Sequence, residues 1–585
     1  MTSSLVDANS ILAVDVGAAN TRAVMFDVVE GEYRFVASGT APSTAEAPFK
    51  DVSEGVRNAI MNLQVVLGKS LLNGSRDLIK PSQPNGSGVD ALVVTISAGP
   101  TIRAILVGLL KDVSLESARR LTESTYARIV ETIGLSDRRR PEQQIDSILR
   151  ARPDLIVITG GTDGGASRSI HKLLEPIGLA SFIMPHEKVP ALLFAGNEKI
   201  TEEIKTLVGS FAPSLHVSPN VRPSLETEDL EPAQRELARM VVNIRKRQIK
   251  GVDLLDMWSG GHILPTAYAT GRMVRFLSKV YSADKGILSV DLGASAASIT
   301  AGFKSKSTLS VYPQFGLGEN LAGLLNYTTL EEILRWSPLD ISEGVLRDYL
   351  FQKSLYPSTI AATKEDLAMS QAVSRQALYL AMQSARRDFP RKVASIKPTL
   401  TPLFDPILAG GGALSDASRP GQSLLMILDS LQPVGLTTVI LDQNNLLPLL
   451  GAAAAQNNIL PVQVIDSGAF LSIGTVVVPV VSANYGTPIL RATLVYENGS
   501  EARVDVKYGS LETLPLSSGE VGKLTIQCLR GADVGFGPGR GGTLSVTGGA
   551  LGVVFDGRGR PLNLPADAVR RRELIKKWIW TLGGE

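Results

Sequence analysis

The sequence predicts a duplicated α/β fold, with two halves of one design facing a shared cleft, then a β-rich region and a terminal helix. Three observations predict it. The segment ILAVDVGAANTRAVMFD, from Ile11, is echoed by ILSVDLGASAASITAGF, from Ile287. Each reads apolar strand, aspartate, apolar residue, glycine, small residues and second apolar strand, with Asp15 and Asp291 in register. A second pair, DLIVITGGTDGG (154–165) and DPILAGGGALSD (405–416), runs an apolar strand into a glycine turn in each half. After about residue 460 the texture changes to short β-rich runs punctuated by Gly, Ser and ENGS.

These features divide the 585 residues into a first half over 1–284, a second half over 285–459, a β-rich domain over 460–565 and a basic amphipathic helix over 566–585. So long a chain exceeds a single core. Hydrophobic residues make up 44% and charged residues 20%, a globular composition. The 59 basic and 57 acidic side chains leave a formal charge of +2, so no basic field asks for nucleic acid. The single Cys528 excludes an intramolecular disulfide and a thiolate cluster, and fits a reducing compartment. The start, MTSSLVDANS, lacks the basic and apolar regions of a signal peptide, so a cytoplasmic location is expected. The run ALVVTISAGPTIRAILVGLL (91–110) tempts a membrane reading, but Gly99-Pro100 and Arg103 interrupt it. It reads as a buried strand followed by a helix, with no integral membrane segment.

Helical spacing follows in SLESARRLTESTYARIVETIGL (114–135). EPAQRELARMVVNIRKRQIKG (231–251) has Glu and Pro in its first turn, basic residues in its last, and a closing glycine. Thr363 caps the helix expected over 363–389. SRDLIKPSQPNGSGVD (75–90) reads as a surface loop. The glycines Gly535, Gly537 and Gly539 have dinucleotide-like spacing but no helix after them, so they read as a turn. The terminal helix, with Trp578 and Trp580, is expected to dock on its own β domain; an anionic membrane or a partner surface is the alternative.

The paired turns carry the chemistry. Small residues let backbone N–H groups approach phosphate oxygens, because no Cβ intrudes. An aspartate at the strand end orients a hydrated magnesium ion, which keeps several waters and bridges the phosphates. Two such hairpins clamp one nucleotide, and a glycine turn before a helix leaves room for adenosine. The metal-orienting acids are then Asp15 and Asp291. The nucleotide-binding positions are Gly17, Asn20, Thr21, Arg22, Gly160, Gly161, Gly293, Ser295, Gly410, Gly411 and Gly412.

The order Asp15-Val-Gly, Asp291-Leu-Gly and Gly410-Gly-Gly resembles the actin, sugar-kinase and DnaK-type chaperone ATPase superfamily. More narrowly, IVITGGTDGGA (156–166), ALLFAGNEK (191–199), YPQFGLGENLAGLLN (312–326) and TTVILDQNNLLPLLGAAAA (437–455) resemble the GlmL, or MutL, family of glutamate mutase accessory proteins. That family is unrelated to the mismatch-repair protein of the same name. The resemblance covers roughly residues 10–457. It implies an actin-like (ribonuclease H-like) ATPase core, ATP with Mg2+ held through water, and association with adenosylcobalamin-dependent carbon-skeleton mutases. The implied role is a chaperone or reactivase that exchanges damaged cobalamin. Oligomeric state is left open.

The turns also depart from the family pattern. The first reads Ala18, Ala19, Asn20, Thr21, Arg22 where the family usually carries hydroxyls and a lysine. The second reads Gly293, Ala294, Ser295, Ala296, Ala297, Ser298, without the family's threonines and second acid. One lost positioning group typically costs about 10²- to 10³-fold in rate, so hydrolysis suffers more than binding. Asp163 is the remaining acid for orienting water, and equally a side chain that holds its own turn. Two functions therefore stand: a slow accessory ATPase for a cobalamin mutase, or a pseudo-ATPase scaffold without turnover. A small-molecule kinase lacks a base for a substrate hydroxyl. A Ser-His-Asp hydrolase lacks a nucleophile elbow around His171, His186, His216 and His262.

Overall fold

The computed structural model describes residues 9–584 except 166, 210–213, 282–283, 305 and 391. The start MTSSLVDA, and with it the signal-peptide reading, lies outside the described residues. The first half opens with β1 (Ile11–Val16), β2 (Asn20–Val29), β3 (Glu32–Pro42) and β4 (Ala91–Ile96). β1 to β3 form an antiparallel meander, and β4 returns parallel to β1. β1 is buried on both faces, as its continuous apolar run requires.

A second sheet then interrupts the first half. β5 (Ile102–Gly108), β6 (Ala127–Gly134), β7 (Leu155–Ile158), β8 (Ala191–Phe194) and β9 (Leu215–Val217) form a parallel sheet in the order β6-β5-β7-β8-β9. That is a doubly wound order with its switch point between β5 and β7. Two sequence expectations are corrected here. Residues after Gly99-Pro100 form strand β5, not a helix, and the expected 114–135 helix stops at Thr122, with β6 following. Short apolar runs satisfy both periods, and insertion into a parallel sheet decides for strand. The Glu231–Gln248 helix then leads back to the first sheet, where β10 (Ile263–Pro265) pairs with β4.

The second half repeats the first. β11 (Gly286–Leu292), β12 (Ala297–Phe303) and β13 (Lys306–Tyr312) are antiparallel, and β14 (Phe404–Gly410) and β15 (Gly435–Leu441) follow in parallel. The order β13-β12-β11-β14-β15 matches β3-β2-β1-β4-β10, which is the duplicated α/β core of the actin-like fold. Asp15 pairs with Arg22, Asp291 with Ser298, seven residues on in both. Gly17 N–H donates to Asn20 O and Gly293 N–H to Ala296 O, closing the same hairpin twice. The counterpart of the 405–416 glycine turn is therefore the end of β4, not 154–165, which belongs to the inserted sheet. The Thr266–Val280 and Leu446–Ala453 helices pack between the halves, in a core that also draws on β1, β2 and β4.

The remaining strands are β16 (Leu471–Val478), β17 (Pro488–Val495), β18 (Glu501–Lys507), β19 (Leu511–Leu514), β20 (Val521–Cys528), β21 (Gly542–Thr547) and β22 (Val553–Asp556). β16, β22 and β19 extend the second half's sheet, while β18-β17-β20-β21 form a sheet of their own. Gly535 and Gly537 donate their N–H groups to Asp533 in a turn, and strand β21 follows it. A buried ion network joins this region to the second half. Asp429 binds Arg375 at 2.9 Å and Arg558 at 2.7 Å, and Asp556 binds Arg558 at 2.8 Å and Arg560 at 2.6 Å. Arg558 also lies over the ring of Trp578, 4.8 Å from its centroid. The Ala568–Thr581 helix thus docks with Trp578 buried and its indole N–H on Gly509 O, while Trp580 stays exposed. Among the described residues no helix is long and apolar enough to cross a membrane.

Candidate functional site

Asp15 ends β1 and is 8% exposed. Its Oδ1 accepts from Thr95 Oγ1 at 2.6 Å and Thr266 Oγ1 at 3.0 Å. Its Oδ2 accepts from Asn445 Nδ2 at 2.8 Å, and Asn445 comes from the other half. Burial raises the Asp15 pKa against these hydrogen bonds and the nearby Arg22 charge. Asp291, at the equivalent place on β11, has no hydrogen-bond donor among the described residues. Burial, then the Asp15 and Asp442 charges, push its carboxyl up to about 7. The two strand-end acids therefore feel each other across one crevice.

A third acid joins them. Asp442, just past β15, accepts from the Leu446 and Leu447 N–H groups, both at 2.7 Å, at the start of the Leu446–Ala453 helix. Burial carries it up to about 6. Asp442 and Asn445 escaped the sequence reading, although VILD (439–442) repeats the pattern of an apolar strand ending in aspartate. Thr95 and Thr266 carried no local signal at all. Gly410 pairs with Asp291, and a side chain there would meet Asp291, Asp442 and Asn445. Gly411 has φ +84°, and a Cβ on it would come within 2.5 Å of Leu292 O, so only glycine lets this turn lie on the end of β11. Gly412 starts the short turn of helix that follows. The cavity under Asp291 and Asp442 measures about 10 Å³, room for about one water.

The first phosphate-turn candidates surround Asp15. Gly17 and the exposed Asn20 close the hairpin. Thr21 is fully buried and pairs with Val16, which turns its side chain to the sheet face opposite Asp15; among the described residues its Oγ1 has no partner. Arg22 donates to Gln443 O at 3.1 Å, a second bond between the halves. In the other turn, Gly293 lies beside Asp291, and among the described residues the buried Ser295 Oγ has no partner. The paired acids on register-equivalent hairpins, Asp291 having no donor of its own among the described residues, fit a phosphate chain with its metal. Among the described residues no group of three or more His, Cys, Asp or Glu is arranged to hold a metal directly.

Gly160, Gly161 and Asp163 are not brought to this crevice. They follow β7, whose Ile158 pairs with Val107 near the far end of β5. β5 starts beside the cleft and rises at ~3.3 Å per residue, which puts that turn about 20 Å away. Asp163 is exposed and accepts from Glu198 N–H at 3.2 Å and Asn220 Nδ2 at 2.9 Å, contacts that brace its own turn.

A family model described as MutL protein matches residues 11–468. Protein MutL of Clostridium tetanomorphum is 23% identical over 364 residues, which is 56% of this chain and 74% of that protein. Among solved structures, nucleotide-free acetone carboxylase is 14% identical, with 86% of this chain and 81% of that chain covered and a TM-score of 0.30. A diol dehydratase-reactivating factor in nucleotide-free form is 10% identical, covering 78% and 99%, at 0.30. Xylulose kinase from Bifidobacterium adolescentis is 12% identical, covering 79% and 94%, at 0.26. The family match spans well over half of the chain, and the chain belongs to the MutL protein family.

Proposed function

We propose that this chain is a nucleotide-binding accessory protein whose two halves grip Mg·ATP, and that it serves an adenosylcobalamin-dependent carbon-skeleton mutase as chaperone or reactivase. The observation that carries the nucleotide part is the pair of register-equivalent hairpins whose acids, Asp15 and Asp291, share one crevice. In this reading both carboxylates orient the waters of the metal. Gly17, Asn20, Thr21 and Arg22 meet the phosphates from one side, and Gly293 and Ser295 from the other. Gly410, Gly411 and Gly412 border the adenosine. The client part rests on membership of the MutL family and on the resemblance to glutamate mutase accessory proteins.

Turnover is expected to be slow, because the second hairpin offers only Ser295 and Ser298 where the family has threonines and an acid, and Asp163 lies away from the crevice. One feature favours a scaffold without turnover: both Asp15 oxygens already have partners within the protein. Thermal melting with Mg·ATP separates the readings. Binding at 100-fold excess over Kd adds about 2.7 kcal/mol to the native state, so the melting temperature rises. Asp15→Ala should abolish the magnesium-dependent part; an unchanged shift in that variant refutes the site. ATP turnover no higher than that of Asp291→Ala would leave the scaffold. Native pulldowns that repeatedly lack a cobalamin-binding subunit would refute the client.

A further inference from the structure

The Thr266–Val280 helix begins without a cap of its own: Pro265 precedes it, and no side chain there meets its first free N–H groups. One of these, Ala267 N–H, donates instead to the hydroxyl of Tyr126 at 3.2 Å, from a residue 141 positions away in the chain. Leaving that N–H buried and alone would be costly, so Tyr126 supplies the cap the helix lacks. Tyr126 stands at the edge of the inserted sheet, just ahead of β6. Its carbonyl accepts from Ile102 N–H at 3.1 Å, where β5 starts. Its ring is 6% exposed and packs with Ala267, with Ala296 of the second hairpin, and with Leu309 and Val311 of β13. The phenol also feels both strand-end acids. Burial first, then the Asp291 and Asp15 charges, raise its pKa, so the hydroxyl keeps its proton.

The capped helix is the one that holds Asp15. Thr266, its first residue, donates to Asp15 Oδ1 at 3.0 Å. Thr270, one turn on, donates to Thr266 O at 3.1 Å and borders the cavity under Asp291. The Thr266 side chain is also a hydrogen-bond partner of Tyr126. Its one proton goes to Asp15, so in that pair Tyr126 donates, and a relay runs from Tyr126 through Thr266 to Asp15. Thr95 and Thr266 together fix Oδ1, which leaves Oδ2 as the oxygen that faces Asn445. A carboxylate pinned by one oxygen presents the other in a set direction, as a water-bridged metal requires.

We propose that Tyr126 is a positioning residue: by capping the Thr266–Val280 helix from the inserted sheet it sets Thr266, and through Thr266 the direction in which Asp15 faces the metal of a bound nucleotide. This rests on the nucleotide reading above. It gives the inserted sheet a part in the site, although the glycine turn of that sheet lies elsewhere.

Tyr126→Phe removes one oxygen and keeps the ring. Titration calorimetry of the full chain with Mg·ATP compares wild type, Tyr126→Phe, Thr266→Val and the double variant. Tyr126→Phe should weaken binding about 2- to 10-fold, the reach of one neutral hydrogen bond, and Thr266→Val by at least as much. The double variant should bind within about twofold of Thr266→Val, because Tyr126 acts through Thr266. Losses that multiply overturn the proposal. So does a Tyr126→Phe protein that melts lower but binds as wild type, the mark of a merely structural tyrosine. Amide hydrogen exchange tests the cap without nucleotide. In wild type Ala267 N–H should exchange as slowly as the second turn of its helix, and in Tyr126→Phe faster, with β6 unchanged. A wild-type Ala267 that exchanges like a frayed helix end overturns the cap even if the variant fails to fold. Wild type that keeps the cap but binds no Mg·ATP overturns the nucleotide reading, and this proposal with it.

Discussion

Asn445 reaches from the second half to Asp15 Oδ2, and in the proposed Mg·ATP complex the water shell of the metal would want the same oxygen. Removing that side chain should therefore help the nucleotide. The residue has φ +52°, a left-handed conformation that asparagine tolerates and alanine resists, so the clean substitution is Asn445→Gly. The bond lost is a 2.8 Å donation to a carboxylate, a class that contributes about 1.5–3 kcal/mol. If Mg·ATP must break it to bind, its removal raises affinity by about 10- to 100-fold at about 1.4 kcal/mol per decade. The ligand-free protein should lose stability of the same order, because Arg22–Gln443 and Ser38–Asn444 remain to join the two halves there. Calorimetry with Mg·ATP and a melt without it measure the two sides. Weaker binding in Asn445→Gly would mean that Asn445 contacts the nucleotide rather than competing with it, and the reasoning would fail.

Asp291 makes stability pH-dependent with a definite sign. Its carboxyl titrates near 7 in the folded chain against 3.8 unfolded, so the native state keeps a proton that the unfolded chain has released. That contribution is present at low pH and is lost as pH rises through about 7. Asp291→Asn should therefore melt increasingly above wild type between about pH 5 and pH 8, and a constant difference across that range would refute the shared-crevice electrostatics. Asp556 is fully buried and accepts from Arg558 and Arg560 side chains. Asp556→Asn should cost about 3–5 kcal/mol in denaturant unfolding, as breaking a buried pair does. It should also loosen the Ala568–Thr581 helix to proteolysis through Arg558 and Trp578; a loss below about 1 kcal/mol would show the network to be replaceable.

The duplicated core was legible because a strand that ends in Asp and enters a small-residue hairpin must satisfy the same local geometry twice. The caps were legible too: Thr363 accepts from Asp366 N–H at 3.0 Å, as the start of its helix implied. What was hidden is non-local. The glycine turn at 160–161 looks like the partner of 410–412, but the inserted sheet carries it off, and the true counterpart at the end of β4 has Thr95 in place of Gly410. Asn445 is one amide in QNN until the chain brings it 430 residues back to Asp15. Arg245 reads as ordinary helix-end chemistry; its burial depends on a turn of β4 far away in sequence.

The inserted sheet is also where the two halves are tied outside the crevice. It grows directly from β4, beside Asp15, yet Arg119 and Arg120 bind Asp388 of the second half at 2.6 and 3.1 Å. Val311 N–H donates to Glu123 O at 2.6 Å, and Asn320 bonds Thr101. Glu116, Glu123 and Glu228 share the same arginines, so Asp388 competes with acids on the arginines' own side. The two arginines are 22% and 28% exposed but Asp388 only 5%, so these pairs are half-buried rather than surface ones. Any separation of the halves must either break these contacts or carry the inserted sheet along.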